Sequence, residues 1–166
     1  MNKRSVMLAA AAAVALATSG AATQSANAAP DSSADSPSRK LSGKKIEVHV
    51  GTKSFVVDLY DNPTADDLLQ RLPLTLKSTN YPGYDEKIIR LEQPLSMQGA
   101  PPGDDPRIPE VGYYHPGQWI ALYYGHIGYW QGKVPLGRIH ASVSDIGAIP
   151  EDAPVRIVGL STVRQQ

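Results

Sequence analysis

Three residues in this chain bring acid–base character to the edge of an aromatic cluster. Glu110 and His115 flank the pair Tyr113-Tyr114, and Arg138 follows Gly137 on a later apolar run. A carboxylate, an imidazole and a guanidinium converging on one pocket would hold and move protons near neutral pH. A plainer reading also fits, in which Arg138 pairs with Glu110 as a structural ion bridge. The cluster itself is Tyr113, Tyr114, Trp119, Tyr123, Tyr124, Tyr129 and Trp130, seven rings within 18 residues, in a chain with a single Phe. Tyr and Trp join an apolar body to a polar tip, which suits them to recognition surfaces. Strand alternation would equally send every second ring into a core, and the neighbours Tyr123 and Tyr124 must face opposite sides. The candidate ligand-binding residues are therefore Glu110, Tyr113, Tyr114, His115, Trp119, Tyr123 and Arg138, with no residue assigned as catalytic.

Other chemistries find little footing. There is no cysteine, so disulfides and thiolate chemistry are excluded. His49, His115, His126 and His140 are spaced 66, 11 and 14 apart and form no pair with metal-ligand spacing. No Gly-rich phosphate loop follows a strand, and no serine sits in a nucleophile elbow. We expect neither a metal nor a cofactor.

The elements that must position these residues begin after an N-terminal targeting signature. Lys3 and Arg4 precede an uncharged, Ala-rich run from Ser5 to Ala22, and Ala26-Asn27-Ala28 places small residues at the −3 and −1 positions of a cleavage site. Residues 1–28 read as a signal peptide, which implies a secreted protein with no membrane insertion after cleavage. Removing them takes away Lys3 and Arg4, leaving 14 basic against 16 acidic residues. That slight negative balance gives no electrostatic case for nucleic acid or an anionic membrane. Residues 29–45 are Ser-, Pro- and charge-rich, with Leu41 the only sizeable apolar residue, and read as a disordered linker.

The domain is expected over 46–166. Ile46, Val48 and Val50 alternate with polar neighbours, as do Phe55, Val57 and Leu59, and Gly51-Thr52-Lys53 turns one run into the next as a hairpin. The stretch from Asn62 to Pro73 carries a cap, acidic residues near the start and a proline stop, with Ala65, Leu68, Leu69 and Leu72 on one stripe. It is the one helix the sequence predicts. Further strands are expected at 74–79, 87–91, 112–115, 119–124, 133–140 and 155–160. Between them, 93–112 is a long loop with prolines at 94, 101, 102, 106 and 109. A loop of that length in a compact domain is usually functional. Many short strands and one short helix describe a mainly β, closed or nearly closed barrel.

One resemblance covers nearly all of 46–160. Asp61-Asn62-Pro63-Thr64-Ala65, Leu72-Pro73-Leu74-Thr75-Leu76, Glu86-Lys87, Gly99-Ala100-Pro101, Tyr113-Tyr114, Pro116, Ala121-Leu122-Tyr123-Tyr124 and Leu136-Gly137-Arg138-Ile139 follow the order and spacing of a bacterial cyclophilin-like family. The resemblance implies a β-barrel related in fold to the prolyl isomerases. Two positions depart from it. Pro109-Glu110 stands where the family has Gly-Asp, and Gly117-Gln118-Trp119 where it has Trp-Gly-Asn. The signature of true prolyl isomerases is absent, with Met97-Gln98-Gly99 a faint echo of one part. In those enzymes a guanidinium assists rotation about the X-Pro amide, against a barrier of about 18–20 kcal/mol. Arg90 would be its counterpart here, or else an ordinary solvated strand arginine.

The expectation is an exported barrel that binds a peptide or small molecule in a groove between loop 93–112 and strands 113–124. The alternatives are a divergent prolyl isomerase, a small hydrolase built on Glu110, His115 and Arg138, or a structural envelope protein.

Overall fold

Alternation along the chain is realised as ten strands and two short helices in a computed structural model that describes residues 37–161. The signal-peptide reading of 1–28 lies outside the described residues, as does the linker up to residue 36. The strands are β1 (Leu41–Val50), β2 (Lys53–Tyr60), β3 (Leu74–Asn80), β4 (Glu86–Arg90), β5 (Gly103–Asp104), β6 (Glu110–Tyr114), β7 (Trp119–Tyr123), β8 (Trp130–Gln131), β9 (Lys133–Ile139) and β10 (Pro154–Leu160). Eight of them close into an antiparallel barrel in the order β1-β10-β3-β4-β7-β6-β9-β2, while β5 and β8 pair separately as a two-stranded flap. The mainly β, closed-barrel expectation therefore holds.

The helix α1 (Pro63–Gln70) starts where the sequence places it. Asn62 Oδ1 accepts from the Ala65 amide at 2.9 Å, and Pro63 occupies the first turn, where no amide partner is lost. A second helix, α2 (Val143–Gly147), was not expected. Its single turn is too short to show periodicity, although Ser142 accepting from the Asp145 amide at 3.0 Å is a capping signal visible in Ser-x-x-Asp. Lys44 at the start of β1 pairs with Asp66 of α1, and Lys53 at the β1–β2 hairpin pairs with Asp145 of α2, each at 2.7 Å. The two helices thus close opposite ends of the barrel.

Ordered structure begins earlier than the expected linker boundary at 45. Pro37–Arg39 form one 3-10 turn and β1 starts at Leu41. A register shift between Leu41 and Lys45, with Gly43 at φ +78°, breaks the two-residue alternation there, so the start of the strand leaves no pattern to read.

Inward-facing side chains fill the barrel. Ile46, Val57, Leu59, Ile89, Leu122 and Leu136 are among the fully buried core residues, capped by Ala65 and Leu68 from α1 and Ile146 from α2. An eight-stranded barrel is just wide enough for its own side chains. Here those side chains occupy the interior. Shortening the α1 plug with Leu68→Ala is expected to cost about 2–5 kcal/mol in urea unfolding, because the closed barrel end cannot collapse onto the void.

Candidate functional site

Most outer faces of the barrel are ordinary exposed polar surface, but the face of β4, β7, β6 and β9 is covered. Register places three rows on it. Glu86, Tyr123 and Glu110 form the first, Ile88, Ala121, Gly112 and Pro135 the second, and Arg90, Trp119, Tyr114 and Lys133 the third. Leu91, Leu95 and Met97 of loop 91–109 pack on the barrel core instead. The later part of that loop, from the flap strand β5 to Ile108, and loop 124–132 fold over the three rows, clipped together by the β5–β8 pairing. The result is a second apolar cluster, built on Ile88, Trp119, Ala121, Tyr123 and Ile127, with Tyr81, Ile108, Tyr114 and Trp130 packed against it.

Two glycines make room for the rings. A Cβ on Gly112 would lie 2.8 Å from the Tyr123 ring, so that ring folds over the middle of the sheet. A Cβ on Gly117 would overlap the Trp119 ring. Trp119 then stacks on Tyr81 at 5.2 Å and Tyr114 at 4.8 Å, while Trp130 meets Tyr84 edge-on at 4.8 Å and Tyr114 at 5.4 Å.

The sequence candidates separate in space. Tyr113 is not at a surface: it points into the barrel core, fully buried, and its hydroxyl accepts from the Leu95 amide at 3.0 Å. Tyr114, Trp119 and Tyr123 lie on the covered outer face, Trp119 and Tyr123 beneath it and Tyr114 half-buried at its margin. His115 is exposed in the β6–β7 turn, where its amide donates to Gly132. Arg138 is exposed and approaches Asp58 at 3.8 Å on the neighbouring strand. Glu110 is saturated instead by Arg39, through two bonds of 2.7 and 2.9 Å, by the Tyr60 hydroxyl at 2.8 Å and by the Arg107 amide at 2.9 Å. The structure therefore does not bring Glu110, His115 and Arg138 together, and the bridge from Glu110 runs to Arg39 rather than Arg138. Arg90 stacks on the Trp119 ring at 4.8 Å and donates to the Gly117 carbonyl.

Arg39 also binds Asp104 on the flap at 2.7 Å, so one guanidinium ties the N-terminal segment to both β6 and the covering loop. Burial works against its charge, but Glu110 and Asp104 outweigh burial and hold it above its ordinary value. Burial and the Glu110 carboxylate together push the Tyr60 phenol up.

Two residues absent from the sequence candidates stand out beside this satisfied network. Glu86 and Lys133 are 0 % and 1 % exposed. Among the described residues, no group hydrogen-bonds either Glu86 oxygen, the Lys133 Nζ, the Tyr123 hydroxyl or the Trp119 Nε1. The Lys133 ammonium lies 4.1 Å from the Trp130 ring centroid and 4.9 Å from that of Tyr123. Burial raises the Glu86 carboxyl against the opposing pull of Lys133, lowers the Lys133 amine against Glu86 and Asp104, and raises the Tyr123 phenol well above its usual range. In sequence, Glu86 and Lys133 are charged residues at strand starts, indistinguishable from solvated ones. Among the described residues no group of His, Asp or Glu is arranged to hold a metal ion.

Beyond Trp130 the surface opens into a groove of about 680 Å³, lined by Met97, Pro101, Pro102, Tyr114, Tyr129 and Trp130 among others. Tyr129 is 62 % exposed there.

Two measurements check this account. Arg39→Ala leaves Glu110 buried without its cation and is expected to cost about 3–5 kcal/mol in urea unfolding. For Glu86, the native state holds its proton to higher pH than the unfolded chain. Its contribution to stability therefore falls as pH rises from about 4.3, the ordinary glutamate value, through the raised native value. Subtracting the Glu86→Gln profile from that of the wild type isolates this fall, and a difference that rises or stays flat would contradict it.

The comparisons agree with this architecture. Residues 48–158 match the cyclophilin-like family. Among solved structures, the hypothetical protein AF2241 from Archaeoglobus fulgidus is similar at 17% identity and a TM-score of 0.54, over 72% of this chain and 96% of that one. McbB, solved in complex with tryptophan, is similar at 15% identity and a TM-score of 0.51, over 73% of this chain but only 46% of McbB. No curated protein matches the chain. The match over most of the barrel, together with its closed eight-stranded topology, establishes that this chain belongs to the cyclophilin-like family.

Proposed function

We propose that this domain is an exported binding module for a small molecule with a planar apolar part, seated in the outer groove between loop 97–102 and the 129–132 segment. The observation that carries the reading is the groove's lining. Prolines and Met97 line it together with the rings of Tyr114, Trp130 and the largely exposed Tyr129. A soluble domain hides rings of that size unless they meet a partner, and concave apolar sites with few polar groups are the usual form of small-molecule pockets. A packed barrel interior leaves this outer groove as the place for such a ligand. McbB, a protein of similar fold, is described in complex with tryptophan, which is consistent with an aromatic ligand on this architecture. Export rests on the sequence features of residues 1–28 alone. The hydrolase reading draws no support from Glu110, His115 and Arg138, whose partners lie elsewhere.

Indole, which offers a ring and no charge, is the simplest probe. It is expected to raise the melting temperature of the domain and to give a saturable calorimetric isotherm. Tyr129→Ala removes one stacking face without touching the core, so affinity should fall about 3–10-fold, in line with ~0.5–1.5 kcal/mol for an aromatic pair. Affinity unchanged in Tyr129→Ala, or no binding of indole, would overturn the groove as the ligand site.

A further inference from the structure

The outer face treats its two carboxylates in opposite ways. Glu110 and Glu86 sit in the same row on either side of Tyr123, both essentially inaccessible. Glu110 receives four hydrogen bonds, and Glu86 receives none from the protein. Lys133, equally buried, donates none, and it does not close the gap to Glu86 as an ion pair, although each feels the other's charge. Burying a charge without a partner is expensive, and natural domains keep few such groups without a reason. Here five polar atoms without hydrogen-bond partners share one face of the sheet, the Lys133 ammonium resting only against the Trp130 and Tyr123 rings.

Their chemistry is complementary in kind. The Glu86 carboxylate can only accept from a ligand in its ionised form. The Lys133 ammonium, the Tyr123 hydroxyl and the Trp119 indole N–H can all donate. A bare anion would satisfy the three donors and leave Glu86 uncompensated, and a bare cation would do the reverse. A head group carrying both charges answers both ends at once. The Trp130 ring, whose centroid is 4.1 Å from Lys133 Nζ, also lines the groove, so one ring touches both the buried ammonium and the aromatic groove.

We propose that Glu86, Lys133, Tyr123 and Trp119 form a head-group subsite for a zwitterion, so that the ligand class is α-amino acids with a planar apolar side chain. The amine is held by Glu86, and the carboxylate by Lys133 with Tyr123 and Trp119. The subsite rests on the groove reading for the position of the side chain, but its polar selectivity is separable from it.

Four probes differing only in head group make that separation: L-tryptophan, tryptamine, 3-indolepropionate and indole, titrated by calorimetry into the wild type, Glu86→Gln, Lys133→Met and the double variant. The wild type is expected to bind tryptophan at least tenfold more tightly than each of the other three. Glu86→Gln should abolish the preference for tryptophan over 3-indolepropionate, and Lys133→Met the preference over tryptamine. The double variant, freed of both buried charges, should melt at a higher temperature than the wild type and bind indole as the wild type does. Equal binding of tryptophan and indole to the wild type would overturn the zwitterion subsite and leave the groove standing. Binding of none of the four would overturn both. If a single variant fails to fold, the ranking of the four probes on the wild type decides alone.

Discussion

Closure of eight antiparallel strands governs everything else in this molecule. A barrel of that size has an interior the width of its own side chains, and here Ile, Val, Leu and Tyr113 fill it while α1 and α2 close its ends. The inner faces are thereby committed to stability. An apolar outer face is a different matter: side chains that a half-buried strand normally gives to water must there be covered by something else. Residues 103–109 and loop 124–132 do that for β4, β7, β6 and β9. They convert the outer face of four of the eight barrel strands into a second, aromatic layer.

That second layer needs an anchor, and Arg39 supplies it. The guanidinium reaches Glu110 on the barrel and Asp104 on the flap from a segment that precedes the first strand. The pair is buried, so its net contribution to stability is small compared with the cost of breaking it. Its value is positional: it fixes where the flap lies, and therefore how the rings of Tyr114, Trp119 and Trp130 meet. The contrast with Glu86 and Lys133 follows from the same physics. A fold able to supply four donors to one carboxylate leaves its neighbour without any, and the energetic penalty falls on the face that the aromatic layer covers. Stability given up at one place in an otherwise well-satisfied structure is the usual mark of a site kept for binding.

Much of the scaffold was legible in the residues. The eight barrel strands from Ile46 onward, the entry to α1 at Asn62-Pro63 and the closed barrel follow from alternation, capping and turn chemistry, whereas the two-residue strands β5 and β8 are too short to show a pattern. The start of β1 was hidden because its bulge at 42–44 breaks the alternation, and α2 because one turn shows no period. Among the candidate residues, Trp119 and Tyr123 do lie on the covered face, Tyr114 reaches the groove, and Tyr113 belongs to the core. Alternation could separate Tyr113 from Tyr114, but it could not say which of them faced inward.

What the sequence determined by itself is the barrel, its family and the concentration of rings between residues 113 and 130. Those are consequences of short-range pattern, since a period of two is enough to assign the faces of a strand. Tertiary structure alone decided that Glu110 is spent on Arg39, that Arg138 turns to Asp58, and that Glu86 and Lys133, 47 positions apart, end buried on one covered face without hydrogen-bond partners. Periodicity reports that a side chain leaves the barrel wall. It carries no information about what then covers it, and at this site the covering is what turns two ordinary surface charges into buried ones.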